Sequence, residues 1–261
     1  MTLQRLFEPR VGDPMRVAFF ASGGPGNLQA AFDVEDREPR LLHVEVVVAD
    51  RHGIPALELA ASRKRPTIVR DFRRLAGPAG APGYAAGREA VHDDILAALM
   101  RIERAGGYRC DLAVLAYRRI ITGSLLRRFH DAAINQHPAD LTVRDANGRR
   151  RYTGIEGLRV SIADGQRRTR TSTILAGPEV DGGEIICQGP SVVVEDRATP
   201  VDVHEALQKR HSDWPSLRFA LRAIASGDVA LSLDARHPDG RRIVVYRGAE
   251  MGYGGVDLDQ A

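Results

Sequence analysis

Short apolar runs that alternate with helical stretches dominate the first half of this 261-residue chain. Buried strands are predicted at 16–21, 43–49, 67–69 and 112–116, with helical spacing over most of the sequence between them. A strand that is apolar on both faces is typical of a parallel sheet covered by helices. The pattern therefore predicts an α/β fold with a doubly wound, mostly parallel sheet.

The chain divides into three predicted segments. Residues 1–14 are polar and predict an irregular leader, and residues 15–226 carry the main α/β domain. Residues 227–261 predict a small C-terminal hairpin and tail, because two strand-like runs there flank a Pro-Asp-Gly turn. Within the main domain, Asn147-Gly148 predicts a β-ribbon in the polar segment 140–151.

The composition excludes several classes of function. No apolar run approaches the roughly 18 residues of a membrane span, and the N-terminus lacks a signal-peptide core, so we expect a cytoplasmic protein. A net charge of +3 with 5% aromatic residues argues against nucleic-acid binding. Cys110 and Cys187 lack metal-ligand spacing, so we expect buried, reduced thiols and no metal site.

A glycine-rich loop, Ser22–Gly26, follows the first predicted strand and precedes a helix that Asn27 is expected to cap. Backbone N–H groups and a helix N-terminus at such a position can hold an anion. The glycines miss the G-x-G-x-x-G spacing of dinucleotide sites, although Asp50 lies where a ribose-binding acid would lie. A phosphate contact, a simple tight turn and an NAD-binding module all stay open.

Three polar side chains follow two later strand-like runs. Asn135 and His137 come after Ala132–Ile134, and Asp181 comes after Ser172–Leu175. Side chains just past the carboxyl ends of parallel strands line the ligand crevice, so we expect these three to meet at one rim of the sheet. An amide, an imidazole and a carboxylate together can polarise a carbonyl group and move a proton. A lone histidine before proline is more often structural.

This arrangement, Asn135-Gln-His137-Pro with a later Asp181-Gly-Gly, resembles the folate-dependent formyltransferases, and the resemblance covers most of the chain. Thr171–Gly183 matches the family's Thr-Ser to Asp-Gly-Gly segment without a gap, and Arg151–Gly154 resembles its Lys-Tyr-x-Gly turn. The resemblance implies a Rossmann-like formyltransferase fold with residues 15–226 as the catalytic domain. It also implies transfer of a formyl group from 10-formyltetrahydrofolate to a primary amine.

The family's site residues carry over position by position. By resemblance, Asn135 donates to the formyl oxygen, His137 donates there or relays protons, and Asp181 orients the imidazole or moves a proton through water. The implied folate-binding positions are Arg88, Tyr117, Arg118, Arg119, Ile120, Ile121, Glu179 and Val180. The implied positions for the amine substrate are Gly24, Pro25, Gly26, Asn27 and Arg210.

The match is weaker on the acceptor side than on the folate side. Pro25 and Gly26 replace a glycine and a serine of the family's phosphate loop, and Arg210 replaces an acid. Glycinamide ribonucleotide, in purine synthesis, is the first expectation for the acceptor. Another small amine, such as an amino sugar or a biosynthetic intermediate, and hydrolysis of formyl-folate by water are the alternatives. The sequence does not fix the oligomeric state, and a homodimer stays open.

Overall fold

The computed structural model describes residues 2–195 and 199–260. Met1, residues 196–198 and Ala261 fall in the predicted leader, main domain and tail, and lie outside the described residues. The chain forms two compact units, one of residues 12–133 and one of residues 1–11 together with 134–261. The leader is not irregular as predicted, because Leu3–Arg5 forms strand β1 in the second of these units.

Strands and helices alternate through residues 12–133, as the sequence predicts. The strands are β2 (Met15–Ala21), β3 (Leu42–Ala49), β4 (Thr67–Val69) and β5 (Leu112–Ala116). The helices are α1 (Gly26–Arg37), α2 (Pro55–Ser62), α3 (Phe72–Ala76), α4 (Tyr84–Gly106) and α5 (Gly123–Arg128). The four strands pair in parallel in the order β5-β2-β3-β4.

The apolar runs that predict these strands are buried on both faces. Along β2, the five consecutive residues Val17–Ala21 are at most 2% exposed. Successive side chains of a strand point to opposite faces, so continuous burial means that both faces of the sheet are covered. This burial explains why the strands read as unbroken apolar runs.

The second unit contains the remaining strands and helices. Its further strands are β6 (Ala133–His137), β7 (Arg168–Thr169), β8 (Ser172–Leu175), β9 (Ile185–Gln188), β10 (Val192–Val193), β11 (Val229–Arg236), β12 (Arg242–Tyr246), β13 (Ala249–Glu250) and β14 (Val256–Asp257). Its helices are α6 (Gly157–Ala163), α7 (Val201–Gln208), a π-helical turn at Lys209–Asp213, and α8 (Trp214–Ala225). The π-helical turn lies just before α8, where Pro215 fits the first turn of the helix.

Pairing in this unit is mixed. Strand β8 lies between β6 and β9 and is antiparallel to both, whereas β14 is parallel to β9. The predicted C-terminal hairpin is confirmed as β11 and β12, and it extends into an antiparallel sheet with β1 and β13. The predicted ribbon at Asn147-Gly148 is reduced to a tight turn closed by one isolated bridge between Arg144 and Arg150.

Candidate active site

Strand β6 carries two of the three predicted catalytic residues. Asn135 and His137 lie inside the strand, not beyond its end as expected, because the ladder with β8 continues to a pair between His137 and Ser172. Residues two apart on a strand share a face, so Asn135 and His137 point to the same side of the sheet. The side chain of Gln136 points to the opposite side, where it contacts Thr173 and Ser216.

The imidazole of His137 is enclosed, with both ring nitrogens facing oxygen acceptors. Nδ1 lies 3.3 Å from Oδ2 of Asp181, and Nε2 lies 2.6 Å from the carbonyl oxygen of Tyr152. Only a doubly protonated ring donates to both oxygens. The side chain of His137 is 4% exposed. The predicted proximity to Asp181 is therefore present, while Nε2 is held by the protein backbone.

A glycine makes this enclosure of His137 possible. A Cβ atom on Gly157, the first residue of α6, would lie 3.0 Å from Nε2 of His137 and 2.4 Å from the carbonyl oxygen of Tyr152. The second distance is too short for any Cβ, so position 157 requires glycine for close approach. Gly157 could not be selected from the sequence, since no turn or glycine motif marks it.

Asp181 reaches His137 by a different route from the one predicted. Because β8 is antiparallel to β6, its carboxyl end at Leu175 lies opposite Ile134 and away from His137. The loop after β8 must therefore return along the sheet to bring Asp181 to the imidazole. Asp181 has a φ of 50°, in the left-handed region that non-glycine residues rarely adopt.

The carboxylate of Asp181 is bound on one oxygen. Oδ2 accepts a hydrogen bond of 2.7 Å from the backbone N–H of Gly154 and lies next to the imidazole of His137. Burial alone would raise the pKa of Asp181, but these two contacts and the nearby charge of Arg150 lower it below its ordinary value. The carboxylate therefore stays ionised in a buried setting, which suits a group that accepts or steers a proton.

Several residues that hold this pair were missed by the sequence analysis. Tyr152 and Gly154 supply backbone groups, and both lie in the Arg151–Gly154 turn that resembles the family but was assigned no role. Arg150 donates from Nη1 to the carbonyl oxygen of Asp181, and Arg241 donates from Nε to that of Gly182. No motif marks either arginine, because their contacts join segments far apart in sequence.

The predicted folate-binding residues after β5 lie in the unit of residues 12–133. The backbone N–H of Arg118 donates to Oγ of Ser22 at 2.9 Å. The side chain of Arg119 forms an ion pair with Asp50, in which Nε lies 2.9 Å from Oδ2. The side chain of Asp50 is 1% exposed. Because a guanidinium already covers it, Asp50 is not placed to bind a ribose, which argues against the NAD-binding alternative.

The other predicted folate positions in this unit differ in exposure. Ile120 is exposed and Ile121 is buried, so Ile121 offers only backbone groups to a ligand. The ring of Tyr117 packs edge-on against Phe20 and Phe72, and burial raises the pKa of its hydroxyl. The Tyr117 hydroxyl and Nε of Arg88 are buried polar atoms without a hydrogen-bond partner among the described residues. Such atoms suit a polar ligand or water at these positions.

The remaining predicted ligand positions are exposed or half-buried. Glu179 and Val180 are exposed in the loop that carries Asp181, and Glu179 pairs with Arg241 at 3.0 Å. Arg210 is exposed on the π-helical turn. These placements leave all three side chains accessible to a small molecule.

The glycine loop after β2 leads directly into α1. Helix α1 begins at Gly26 with Pro25 as its N-cap, so Asn27 lies inside the first turn and does not cap the helix as predicted. A Cβ on Gly24 would meet nothing within 4 Å, so its surroundings are open. Arg51 donates from Nη2 to the carbonyl oxygen of Ser22, which brings a cation beside the loop.

Two further features concern metals and membranes. Cys110 and Cys187 are free and buried, and burial raises the pKa of both thiols. Within residues 2–195 and 199–260, no three His, Cys, Asp or Glu side chains are grouped to hold a metal ion. None of the helices in the described part of the chain is both long enough and apolar enough to cross a membrane.

Comparison with known proteins identifies the class of enzyme. The family model described as formyl transferase matches residues 15–216, so the chain belongs to the formyl transferase family and is a formyl-transferring enzyme. No curated protein matches the sequence.

Solved structures of similar fold agree with this assignment. Glycinamide ribonucleotide transformylase 1 of Symbiobacterium toebii is 24% identical, with 89% of this chain and 94% of that chain covered and a TM-score of 0.66. Phosphoribosylglycinamide formyltransferase of Coxiella burnetii is 19% identical, with 94% and 99% covered and a TM-score of 0.68. Formyltetrahydrofolate deformylase of Burkholderia mallei is 18% identical, with 90% and 71% covered and a TM-score of 0.62. These likenesses confirm the predicted α/β class with its mostly parallel sheet.

Proposed function

We propose that this enzyme transfers the formyl group of 10-formyltetrahydrofolate to a primary amine, with glycinamide ribonucleotide as the first candidate acceptor. The observation that carries the proposal is the contact between His137 and Asp181, beside Asn135 on the same strand face, in a member of the formyl transferase family. When bound, the folate supplies a formyl carbonyl that an amine can attack.

Asn135 is the proposed donor to the formyl oxygen. Its amide N–H₂ is half-buried on β6, on the face shared with His137. An amide donor fixed by a strand stabilises negative charge that develops on a carbonyl oxygen without having to reorganise. A donor of this kind is worth about 10²–10³ in rate in other enzymes.

Asp181 is the proposed proton acceptor for the attacking amine. Among the described residues, both contacts to its carboxylate fall on Oδ2, which leaves Oδ1 to accept a proton directly or through water. The imidazole of His137, with Nδ1 3.3 Å from Oδ2, fixes the orientation of the carboxylate. Direct donation from Nε2 of His137 to a substrate requires that this nitrogen first release the carbonyl oxygen of Tyr152.

The folate positions support the proposed donor. Tyr117 and Arg88 each present a buried polar atom that has no partner within the described residues, which fits a heterocycle rich in donors and acceptors. The backbone of Arg119, Ile120 and Ile121, and the accessible Glu179 and Val180, are the remaining proposed contacts to the folate.

The acceptor proposal depends on the glycine loop and Arg210. The N-terminus of the 12-residue helix α1 presents backbone N–H groups from Gly26 onward, and Arg51 adds a cation beside the loop. Both favour a phosphate group. Arg51 is thus placed to offset the donor lost at Pro25. The positive charge of exposed Arg210 favours an acceptor with negative charge near that residue.

The test is an assay of the purified enzyme with 10-formyltetrahydrofolate and a panel of amines that includes glycinamide ribonucleotide, amino sugars and a sample without amine. We expect loss of formyl-folate only with an amine present, fastest with glycinamide ribonucleotide. Faster turnover of a non-phosphorylated amine would reject the ribonucleotide as acceptor. Equal loss without amine would identify a hydrolase, the activity named for the Burkholderia neighbour. No loss under any condition would reject the proposal.

A further inference from the structure

Asp181 needs external support for its conformation. It has a φ of 50° in a turn closed by a 3.2 Å hydrogen bond from the N–H of Gly182 to the carbonyl oxygen of Glu179. A non-glycine residue in the left-handed region costs about 1 kcal/mol or more and persists only where neighbouring structure imposes it. The carboxylate that faces His137 therefore depends on whatever holds the backbone of this turn.

Two arginines hold consecutive carbonyl groups of the turn. Arg150 donates to the carbonyl oxygen of Asp181, and Arg241 donates to the carbonyl oxygen of Gly182. Arg150 comes from the polar segment 140–151, and Arg241 comes from the C-terminal hairpin. Arg241 and the C-terminal tail lie beyond residue 216, where the match to the family model ends.

Arg150 is itself fixed by Tyr253. Its Nε donates to the Tyr253 hydroxyl at 2.8 Å, and its Cζ lies 5.2 Å from the centre of that ring. Burial lowers the pKa of Arg150, and its Nη2 has no hydrogen-bond partner among the described residues. The guanidinium is half-buried, donates to uncharged oxygens of Tyr253 and Asp181, and lies near enough to the Asp181 carboxylate to stabilise its charge.

Tyr253 is in turn held on three sides. The Cζ of Arg144 lies 4.0 Å from the ring centre, and the ring of His237 is edge-on at 5.3 Å. The ring also packs against the small apolar cluster of Leu141, Ile174 and Ile185. At Gly255 a Cβ would lie 2.3 Å from the carbonyl oxygen of Ile185, so the chain after Tyr253 lies directly against β9.

Asp239 joins the two arginine supports. It pairs with Arg144 at 2.9 Å and with Arg241 at 2.7 Å. Burial alone would raise the pKa of Asp239, but hydrogen bonds with Tyr253, Arg241 and Arg144 lower it. Segment 140–151, the hairpin and the tail thus form one network that ends on the backbone of the turn that carries Asp181.

We infer that Arg150, held by Tyr253, is a positioning residue that sets the orientation and charge of the Asp181 carboxylate opposite His137. The inference rests on the proposed role of Asp181 in formyl transfer. The polar segment 140–151 and the C-terminal tail would then act as supports of the turn that carries Asp181, a role that the sequence alone does not indicate.

The direct readout is the pKa of Asp181, measured by NMR on protein labelled at aspartate Cγ and assigned with Asp181→Asn. In Arg150→Gln, loss of the nearby cation raises the pKa of Asp181. In Arg150→Lys the charge stays, so the pKa of Asp181 stays low. The matched control is Arg149→Gln, which removes an exposed arginine next to Arg150 and leaves the pKa of Asp181 unchanged.

The kinetic readout separates positioning from general stability. Arg150→Gln lowers kcat by about tenfold, because a misplaced catalytic group loses rate even when substrates still bind. KM for the folate and for the amine changes by less than about threefold, since Arg150 is not among the proposed contacts to either substrate. The acid limb of the kcat–pH profile moves to higher pH together with the pKa of Asp181.

Tyr253→Phe tests the inference if Arg150→Gln does not fold. It removes the hydroxyl that accepts from Arg150 and that also hydrogen-bonds to Asp239, and we expect kcat to fall by about threefold. Tyr246→Phe removes a hydroxyl from the same C-terminal region without touching Arg150, and keeps the wild-type kcat.

An unchanged pKa of Asp181 in both folded Arg150→Gln and folded Tyr253→Phe overturns the inference. The NMR measurement needs no turnover, so it decides the matter even if no formyl transfer is found. Absence of formyl transfer with every amine tested would instead reject the proposed function, and it leaves the result for Arg150 standing.

Discussion

The two regions that carry the predicted site residues are held in place by different kinds of contact. After β5, Arg118 and Arg119 follow directly from a parallel strand and make their bonds to Ser22 and Asp50, near the ends of neighbouring strands. Around His137, the positions are set by an antiparallel strand, a returning loop and arginines from distant segments. A regular sheet thus fixes the first region, and long-range polar contacts fix the second.

Substitutions of polar side chains should therefore have different effects in the two regions. In a region built by a sheet, backbone pairing and apolar burial hold the geometry, so single polar side chains matter mainly for stability or for a ligand. In a region built by polar contacts, each buried hydrogen bond also sets a direction or a charge.

The first prediction concerns His137 and Asp181 themselves. His137→Ala and Asp181→Asn each lower kcat by about 10³-fold, because they remove the charge pair that the proposed proton transfer requires. Steady-state rates with 10-formyltetrahydrofolate and the best amine measure the effect, with circular dichroism to confirm folding. His130→Ala and Asp164→Asn, at an exposed histidine and at a carboxylate paired with Arg151, are the matched controls.

Near-wild-type rates in both His137→Ala and Asp181→Asn would contradict a catalytic role for the region around β6. The region around β6 would then be a structural ion pair and not a reaction centre, and the regular region after β5 would be left as the only candidate for the chemistry.

The same contrast between sheet pairing and long-range polar contacts explains which parts of each region can be predicted from the sequence. Strands β4 and β5 begin and end at the predicted residues, because their boundaries depend on local apolar runs and turn residues. The closeness of His137 and Asp181 was predicted from the positions of these residues after strand-like runs and from the family resemblance. The route of the loop between them was not, since the expectation of parallel strands was wrong for β8.

The contacts that hold Asp181 could not be predicted from the sequence, because they join residues far apart in the chain. Arg150 and Tyr253 are 103 positions apart, and Arg241 and Gly182 are 59 apart. Local propensity and periodicity carry no information on such pairs. The chain has 37 lysine and arginine residues in total, so nothing in composition distinguishes these two arginines from solvated ones.

The second prediction concerns Asp213, a fully buried carboxyl on the π-helical turn. Burial raises its pKa from 3.8 to about 6, although Thr171 donates a hydrogen bond to it and Lys209 and His137 attract the charge, while Glu205 repels it. The folded protein therefore holds this proton more tightly than the unfolded chain does. Stability linked to Asp213 is complete below about pH 4, falls as the pH rises to about 6, and is then level.

Asp213→Asn removes this titration. Two pKa units correspond to about 3 kcal/mol, so the free energy of unfolding of the variant, relative to wild type, rises by up to that amount between pH 4 and pH 7. Urea unfolding at a series of pH values measures it, with Asp164→Asn as the control at a partly exposed carboxylate. A difference between variant and wild type that does not change with pH would show that Asp213 is not buried in this way.

The third prediction concerns the ion pair between Arg119, in the predicted folate segment, and the buried carboxylate of Asp50. Arg119→Gln leaves the carboxylate of Asp50, which is 1% exposed, without its guanidinium partner at 2.9 Å. Removing one partner of a buried pair costs about 3–5 kcal/mol. Because the Arg119 side chain is 27% exposed and Arg51 lies 3.9 Å from the other oxygen, we expect a loss of about 2 kcal/mol in the free energy of unfolding.

The midpoint of urea unfolding measures this loss. Arg118→Gln is the matched control, because Arg118 is exposed and only its backbone N–H is bonded to Ser22. Equal stability of Arg119→Gln and Arg118→Gln would mean that the sheet region also lacks any strong polar contact, which would sharpen the contrast with the region around His137.

The smallest expected effect concerns Arg210, whose side chain is exposed on the π-helical turn. Arg210→Glu restores the acidic residue that the family resemblance places there, and so favours the ribose hydroxyl groups of glycinamide ribonucleotide. An exposed charge contributes up to about 1 kcal/mol, so we expect kcat/KM for this acceptor to rise by less than about fivefold. Lys209→Glu makes the same change of net charge one residue away and leaves kcat/KM unaltered, since Lys209 already pairs with Glu205 at 2.5 Å.

If kcat/KM changes equally in both variants, the electrostatic field of the whole surface, and not a contact at Arg210, determines how well the acceptor reacts. If Arg210→Glu lowers kcat/KM while Lys209→Glu does not, the arginine itself contacts the acceptor, and an amine with a further negative group replaces the ribonucleotide as the substrate to test.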